Sequence, residues 1–186
     1  MNYRTFPLIL LLFVSCAFLN YSNAQPSNTP WNQFRGPERN GTTENFLNFS
    51  MDKEIELILL WKKPIGSGFS ELTVEQDRVY TMESEKIDSI TGFEFVSCYD
   101  GKTGEPVWQT KVDSMFFDTF GDGPRSTPVI GEDHIYCLSS YGKLTALTKK
   151  EGEIAWQVDV LASYGPTLPR WGFSSSPMLM DQTLVI

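Results

Sequence analysis

Residues 104–110 read GEPVWQT and residues 152–158 read GEIAWQV, so that Gly, Glu, Trp and Gln recur in the same places 48 positions apart. A third tryptophan, Trp61, precedes Trp108 by 47 residues. A recurrence of this length is typical of a supersecondary unit that cannot bury its own hydrophobic face and therefore stacks against copies of itself. The two heptapeptides therefore predict a repeat protein.

Further landmarks keep the same order around the heptapeptides. Each unit begins with a serine-rich strand, continues with an aspartate-led strand and an apolar strand, and ends with a turn and the tryptophan strand. The matching serines are Ser70, Ser126 and Ser175, and the aspartate-led strands are DRVYTM (77–82), DHIYCL (133–138) and DQTLVI (181–186). Because several landmarks keep one order, we interpret the pattern as a true repeat.

The repeat consists of short segments rich in Val, Ile, Thr, Tyr and Phe, with Gly, Asp and Pro between them. Such segments are typical of antiparallel strands, and four strands in a period of about 40–50 residues indicate a β-propeller blade. We therefore predict an all-β fold, a β-propeller of four-stranded antiparallel blades. Residues 59–186 would hold about two blades and the start of a third, and we expect a fragment of a seven- or eight-bladed propeller because propellers close with typically 4–8 blades.

The tryptophans have a structural explanation in such a fold. Radially stacked sheets leave a gap near the rim, and an indole buries about 150–250 Å² and can fill it. We predict that Trp61, Trp108 and Trp156 are wedges between blades and do not contact a ligand.

The N-terminus has the features of a secretory signal. Arg4 is the only charged residue among the first 24, an apolar run follows it, and a small residue, Ala24, ends the stretch. We predict a signal peptide over residues 1–24 and an exported chain, periplasmic or extracellular, with no transmembrane span after cleavage. A lipid anchor at Cys16 is the alternative. Residues 25–58 would lead into the propeller.

Charge and cysteine content exclude some classes of function. The net charge is −8, and no basic stripe interrupts it, so we expect no nucleic-acid partner. Cys98 and Cys137 lie in apolar segments, and we interpret them as small buried side chains on different strands, with a disulfide as the alternative. One histidine and no C-x-x-C motif predict no metal site.

Several segments carry a resemblance to a known family. CYDGKTGEPVW (98–108), and its weaker copy ALTKKEGEIAW (146–156), in which Thr148 stands where the first has Asp100, are similar to a signature of the PQQ-like, or quinoprotein-like, β-propeller repeat proteins. That family includes the outer-membrane assembly lipoprotein BamB and the propellers of quinoprotein alcohol dehydrogenases. Three further segments, in their order along the chain, resemble the opening of exported members of the family: WNQFRGPERNG (31–41), LLWKKPIGSGFS (59–70) and FGDGPRSTPVI (120–130).

The resemblance implies three functions. We favour a non-catalytic scaffold that binds a protein or a small molecule, with no catalytic residues and no cofactor. The alternatives are a quinoprotein dehydrogenase, which would use PQQ and calcium, and a BamB-like subunit of outer-membrane assembly with an envelope-protein partner. The family's enzymes use an adjacent cysteine pair and a set of calcium ligands, and no adjacent cysteine pair occurs here.

The loops that precede the inner strands are the candidate binding site. GSGF (66–69), GDGPR (121–125) and RWGF (170–173) should meet at one mouth of the channel, because inner strands line it. Arginine and aromatic residues are enriched where proteins recognise ligands. The candidate residues are Phe69, Asp122, Arg125, Arg170, Trp171 and Phe173. In the structural alternative, the glycines fit a narrow axis and Arg125 only pairs with Asp122 or Asp118.

Two neighbouring segments carry further expectations. FFDTFGDG (116–123) holds three Phe, and we predict a surface loop between blades with its aromatic side chains packed beneath it. WNQFRGPERNG should either pair with the last blade or drape over one face, anchored by burial of Trp31 and Phe34.

Overall fold

The computed structural model describes residues 29–43, 58–165 and 167–186. The signal peptide predicted for residues 1–24 and the lipid-anchor alternative at Cys16 lie outside the described residues. The division into a leader, an N-terminal segment and a repeat region therefore stays a prediction.

Two four-stranded antiparallel sheets form the body of the described structure, and each follows the order of the chain. The first sheet contains β1 (Thr73–Glu75), β2 (Arg78–Lys86), β3 (Gly92–Asp100) and β4 (Pro106–Ser114). The second sheet contains β5 (Val129–Ile130), β6 (His134–Leu138), β7 (Lys143–Thr148) and β8 (Ile154–Asp159). The predicted all-β class and the four-stranded antiparallel sheets are confirmed, while the number of blades stays a prediction.

A short helix and a hairpin follow the second sheet. Helix α1 (Val160–Tyr164) begins where the Asp159 side chain accepts a hydrogen bond from the Ala162 amide, and it ends at Gly165 in the left-handed conformation. The hairpin pairs β9 (Met178–Met180) with β10 (Thr183–Val185). No helix in the described ranges is long and apolar enough to cross a membrane.

The repeat predicted from the sequence has a matching strand register. Tyr80, Cys98 and Trp108 lie side by side on β2, β3 and β4. Tyr136, Ala146 and Trp156 lie in the same way on β6, β7 and β8. In both sheets the tyrosine and tryptophan rings are 5.9 Å apart between centroids. Equivalent residues therefore occupy equivalent places in the two sheets.

The hydrophobic core lies between the two sheets. Tyr80, Met82 and Val96 from the first sheet pack in one cluster with Ile135 and Leu147 from the second. Alternating side chains of each strand supply this face, as expected for a sheet that packs on a neighbour. The remaining members are Cys98, Val112, Ile130 and Cys137, with the half-buried Trp108 packed against them. Both cysteines are buried free thiols, as the favoured interpretation of the sequence has it.

Trp61 and Trp108 each connect their unit to a glycine turn of the next. The Trp61 ring covers Gly104, where an added Cβ would lie 2.6 Å from Cε3 of the indole, and Nε1 of Trp61 donates to the Gly101 carbonyl at 2.9 Å. Trp108 covers Gly152 in the same way, and its Nε1 donates to the Lys149 carbonyl at 3.1 Å. Only a residue without Cβ fits under each indole.

The N-terminal segment lies along the inner strands of both sheets. Trp31 forms an isolated antiparallel bridge with Val74 of β1, and the Ile130 amide of β5 donates to the Asn32 carbonyl at 2.8 Å. Trp31 and Phe34 are only half-buried. Among the described residues, the strand partners of the segment are thus β1 and β5, and pairing with a last blade stays a prediction.

The loop between the two sheets differs in part from its prediction. Phe116 is buried, as expected for an aromatic side chain beneath the loop, but Phe120 is 77% exposed. The prediction that the aromatic side chains pack beneath this loop is therefore wrong for Phe120. The amide of Phe120 donates to Oδ1 of Asp118 at 2.9 Å, which turns the chain so that the ring faces outwards.

Candidate binding site

The repeated serines anchor the start of each unit. The Met82 amide donates to Oγ of Ser70 at 3.1 Å, and the Oγ of Ser126 donates to the Leu138 carbonyl. Each serine thus bonds the strand that begins eight residues further on in its unit, at equivalent backbone positions. The serine is needed for the unit itself and is not free to contact a ligand.

The residue after each serine bonds the next unit. The Glu71 amide donates to Oγ1 of Thr127 at 3.0 Å, and the Thr127 amide donates to Oγ of Ser176 at 2.9 Å. At the first position of the series the residue is Glu71 itself, whose Oε2 accepts from the Arg35 amide at 2.9 Å. The hydroxyl side chains at this position therefore tie successive units together near their inner strands.

The residue before each serine lines a cavity. Phe69, Arg125 and Ser174 occupy this position in the three successive units, and all three line one cavity of about 450 Å³. Its other lining residues include Asp118, Phe120 and Trp171. We call this space the mouth cavity. The repeat thus directs one side chain of each unit into the same cavity, from the residue immediately before the two positions whose hydrogen bonds hold the units together.

The walls of the mouth cavity are aromatic and open to solvent. Phe120 is 77% exposed, Phe69 55% and Trp171 51%. Isolated exposed apolar side chains are ordinary, but several around one cavity indicate a place where another molecule binds.

Arg125 forms a wall of the cavity and is already paired. Its guanidinium lies 5.3 Å from the Phe69 centroid and 4.6 Å from that of Phe116. Nη1 donates to the Gly123 carbonyl at 2.7 Å and Nη2 to the Gly121 carbonyl at 2.9 Å, while Asp118 Oδ1 is 4.0 Å from Nη2. The guanidinium therefore holds the loop in place. This agrees with the structural alternative given from the sequence, in which Arg125 pairs with an aspartate of the loop.

Two residues that line the cavity, and Arg170 beside one of them, form the rim and carry hydrogen-bond donors without partners among the described residues. The guanidinium of Arg170 lies 5.2 Å from the Trp171 ring centroid and makes no ion pair there. The indole N–H of Trp171 and the hydroxyl of Ser174 make no hydrogen bond within the described ranges either. The free polar groups at the rim are thus a cation and two neutral groups that can donate.

The other two predicted site residues lie elsewhere. Asp122 is 3.3 Å from Lys86 Nζ and accepts from the Asp118 amide at 3.1 Å, so it stabilises the loop. Phe173 packs on Gly142, and its amide donates to the Ser140 carbonyl at 2.9 Å. Phe69, Arg125 and Trp171 line the cavity, whereas Arg170 does not line it and contacts the ring of the lining residue Trp171.

Phe120 and Ser174 line the cavity but are not among the site residues predicted from the sequence. Ser174 could have been found from the repeat, because it precedes Ser175 as Phe69 precedes Ser70 and Arg125 precedes Ser126. Phe120 carries no such signal, since its outward orientation depends on the hydrogen bond to Asp118.

A buried carboxylate, Glu83, lies on the first sheet away from the mouth cavity. Its Oε1 accepts from Ser97 Oγ at 2.5 Å and Tyr99 OH at 2.7 Å, and its Oε2 accepts from the Gly66 amide at 2.6 Å. Burial opposes ionisation, but these hydrogen bonds, with one from Gln109, outweigh it and lower the pKa of Glu83. The charged carboxylate thus fastens the chain before β1 to the sheet.

A second buried carboxylate, Glu94, lies at the contact between the sheets. It stands opposite Asp113, its Oε2 accepts from the Ser140 amide at 3.1 Å, and its Oε1 has no partner among the described residues. Burial, with the nearby Asp113 charge, raises the pKa of Glu94 to about 7 despite the hydrogen bonds from Ser140. Asp113 itself bonds Ser139 and Lys143 of the second unit. These groups join the sheets and do not line the mouth cavity.

Stacked four-stranded antiparallel sheets, tied at their inner strands and wedged by tryptophans, define a protein of the β-propeller type. A family model described as "Outer membrane protein assembly factor BamB" matches residues 53–186, well over half of the chain. The chain belongs to this family of PQQ-like repeat proteins, and the resemblance seen in the sequence is confirmed. No curated protein gives a significant match.

Proposed function

We propose that this protein is an exported PQQ-like repeat protein that acts as a non-catalytic binding scaffold through its mouth cavity. The observation that supports this function is the convergence of one side chain from each of three successive units on a single open aromatic cavity. A rigid stack of sheets that presents short loops at one end suits recognition, because the loops are held in place before the partner binds.

The titratable groups that line the cavity, and the two cysteines of the core, favour binding over catalysis. Arg125 and Asp118 are engaged with the loop that carries them. The two cysteines are buried between the sheets, and burial raises the pKa of the Cys98 thiol to about 11 and that of Cys137 to about 12. A thiol in such a place is a poor nucleophile.

Two other functions remain as alternatives. The description of the matching family favours a subunit of outer-membrane assembly, in which the scaffold would bind envelope proteins. A quinoprotein dehydrogenase would need calcium ligands, and the described residues gather no group of three or more His, Cys, Asp or Glu side chains. The absence of such a group among the described residues favours the scaffold over the dehydrogenase.

The test is capture of partners from an envelope extract by the full chain. We expect proteins retained by the wild type to be lost from a Phe120→Ala/Trp171→Ala double variant. Both side chains are at least half exposed, so the variant should keep its fold. Tyr164→Ala is the matched control, because Tyr164 is 78% exposed and lies on α1, outside the mouth cavity.

Each other outcome favours a different function. Retention of outer-membrane barrels would support the assembly subunit, and reduction of a redox dye after addition of PQQ and calcium would overturn the non-catalytic function. Partners that bind the double variant as well as the wild type would remove the mouth cavity from the proposal. Fractionation of cells tests export, and a chain found only in the cytoplasm would contradict it.

A further inference from the structure

We propose that the mouth cavity binds an aromatic side chain of a partner polypeptide, and that Arg170 binds a carboxylate next to that side chain. This inference rests on the proposed function and names the chemistry of the partner.

The aromatic specificity follows from the walls. Phe69, Phe120 and Trp171 present exposed ring surface around a space of about 450 Å³, and the Arg125 guanidinium between Phe69 and Phe116 has little exposure of its own. Rings pack on rings in offset or edge-to-face arrangements that contribute beyond the area they bury. A charged group would find no partner at the centre, because Arg125 and Asp118 already bond the loop.

The openness of the cavity favours a polypeptide over a free small molecule. Small-molecule sites usually enclose most of their ligand, with about 70–90% of its surface buried. Here every aromatic wall is at least half exposed, so a ring that enters the cavity keeps one side towards solvent. A side chain carried by a polypeptide gains affinity from its neighbours outside the cavity, as anchor residues of interfaces do.

The donor groups at the rim of the cavity favour a ligand that carries a carboxylate. Arg170 makes no ion pair with any described residue, and the Trp171 indole N–H and the Ser174 hydroxyl make no hydrogen bond within that part of the chain. Donors without acceptors are complementary to an anion, and arginine binds carboxylates with two parallel hydrogen bonds. An Asp, a Glu or a terminal carboxylate beside the aromatic residue would bind these donors.

The repeat makes the residue before each serine a specificity position. The serine bonds its own unit and the following residue bonds the next unit, so both are constrained by the fold. Ser174 is the least constrained member of the set Phe69, Arg125 and Ser174, because it makes no hydrogen bond among the described residues. Ser174→Leu should therefore change which aromatic residue is preferred while the fold remains intact.

The test is selection of random heptapeptides displayed on phage against the full chain. We expect enriched peptides to share an aromatic residue with Asp, Glu or the terminal carboxylate within two positions of it. The affinity of the best synthetic peptide should fall at least about tenfold in Trp171→Ala, as for an anchor residue of an interface. It should fall about three- to tenfold in Arg170→Gln at low salt, and less at high salt because screening weakens the ion pair. Tyr164→Ala should bind like the wild type.

The outcomes separate this inference from the proposed function. Enriched peptides without aromatic residues, or undiminished binding to a folded Trp171→Ala variant, would overturn the aromatic specificity. The role of Arg170 is tested by comparing an acidic peptide with its neutral version. If the wild type and Arg170→Gln both bind the two versions with equal affinity, Arg170 does not bind a carboxylate. If envelope partners still require the mouth cavity, the scaffold stands and only its ligand chemistry is wrong. Failure of both selection and capture would overturn both.

Discussion

Trp108 and Trp156 occupy the same place in two equivalent sheets, yet their surroundings differ. Trp108 covers Gly152, donates to the Lys149 carbonyl and packs against the core. Trp156 is 40% exposed, and its indole N–H makes no hydrogen bond within the described ranges. It lines a cavity with Leu184 and Ile186 near the hairpin. Since the tyrosine neighbour is equally close in both sheets, the difference lies in what covers each indole and not in the tryptophan's own sheet.

The comparison shows what a junction between units requires. A tryptophan alone does not close the contact, because a glycine turn must lie beneath the indole and offer a carbonyl to its N–H. Trp61 agrees with Trp108, since it covers Gly104 and donates to the Gly101 carbonyl. The stabilisation therefore belongs to the pair of tryptophan and turn.

The largest expected effect is the difference between two identical substitutions. Trp108→Ala should lower the free energy of unfolding by about 3–4 kcal/mol, because it opens a cavity and removes a hydrogen bond. Trp156→Ala should cost about 1 kcal/mol, since the side chain is already partly in water. Urea denaturation of the two variants measures both values. Equal losses would show that the tryptophan acts within its own sheet.

Substitution of the glycine tests the other member of the pair. Gly152 has φ +71° and lies under the Trp108 ring, so Gly152→Ala adds backbone strain and a steric clash, and should cost about 3 kcal/mol. Gly165 has nearly the same φ, +68°, but no atom lies within 4 Å of an added Cβ. Gly165→Ala should therefore cost about 1 kcal/mol from strain alone.

Thermal and urea unfolding measure the stability that each glycine variant loses. The difference between the two losses is the cost of the steric clash with the indole. If both variants lose the same stability, the close approach of the indole contributes nothing and only the left-handed backbone requires glycine.

The two buried glutamates should respond to substitution with opposite signs. The pKa of Glu94 is raised from its ordinary value of 4.5 to about 7, so the folded protein binds this proton more tightly than the unfolded chain does. The protein therefore loses stability as the pH rises from the unfolded pKa to the folded pKa. Ionised Glu94 faces Asp113, Ser140 and Cys137 at the junction, with Lys143 paired to Asp113. Glu94→Gln should therefore stabilise the protein at pH 8 by about 2 kcal/mol and have little effect near pH 4.5.

Glu83→Gln is the matched control. The pKa of Glu83 is lowered, so its stabilisation is present above the unfolded pKa and is lost as pH falls through the folded pKa. The variant should lose about 1–2 kcal/mol at pH 7, from weaker hydrogen bonds, and the loss should shrink in acid. Urea midpoints between pH 4 and pH 8 measure both variants. Changes of the same sign at pH 8 would contradict the assigned charge states.

The sequence predicted the sheets because their determinants are local. Tryptophan, the glycine turn and the alternating strands each have a signature within one unit, and the order of those signatures gave the strand order. The mouth was predicted in part for the same reason: loops before inner strands must converge, so Phe69, Arg125 and Trp171 were found. The repeat also indicates Ser174, which precedes Ser175, but Ser174 is not among the site residues predicted from the sequence.

The burial of Glu94 and the orientation of Phe120 could not be predicted from the pattern. Glu94 lies in the alternating stretch FEFVSCYD, where a carboxylate ordinarily faces solvent, and its burial depends on the second sheet packing over it. The outward orientation of Phe120 depends on a hydrogen bond to Asp118. Both features depend on the arrangement of neighbouring segments in space, which a one-dimensional repeat does not encode.

The smallest expected effect concerns the hydrogen bonds that tie the inner strands. Thr127→Val removes the acceptor for the Glu71 amide at a site where Thr127 is only 2% exposed, so the amide would lose its partner and stability should fall by about 1 kcal/mol. Ser176→Ala removes the acceptor for the Thr127 amide at a half-buried position, where water can replace it, and should cost less. Hydrogen exchange of the Glu71 and Thr127 amides would show which bond is lost. If Thr127→Val leaves the exchange of the Glu71 amide unchanged, the hydroxyl does not connect the units, and their stacking relies on the tryptophan junctions alone.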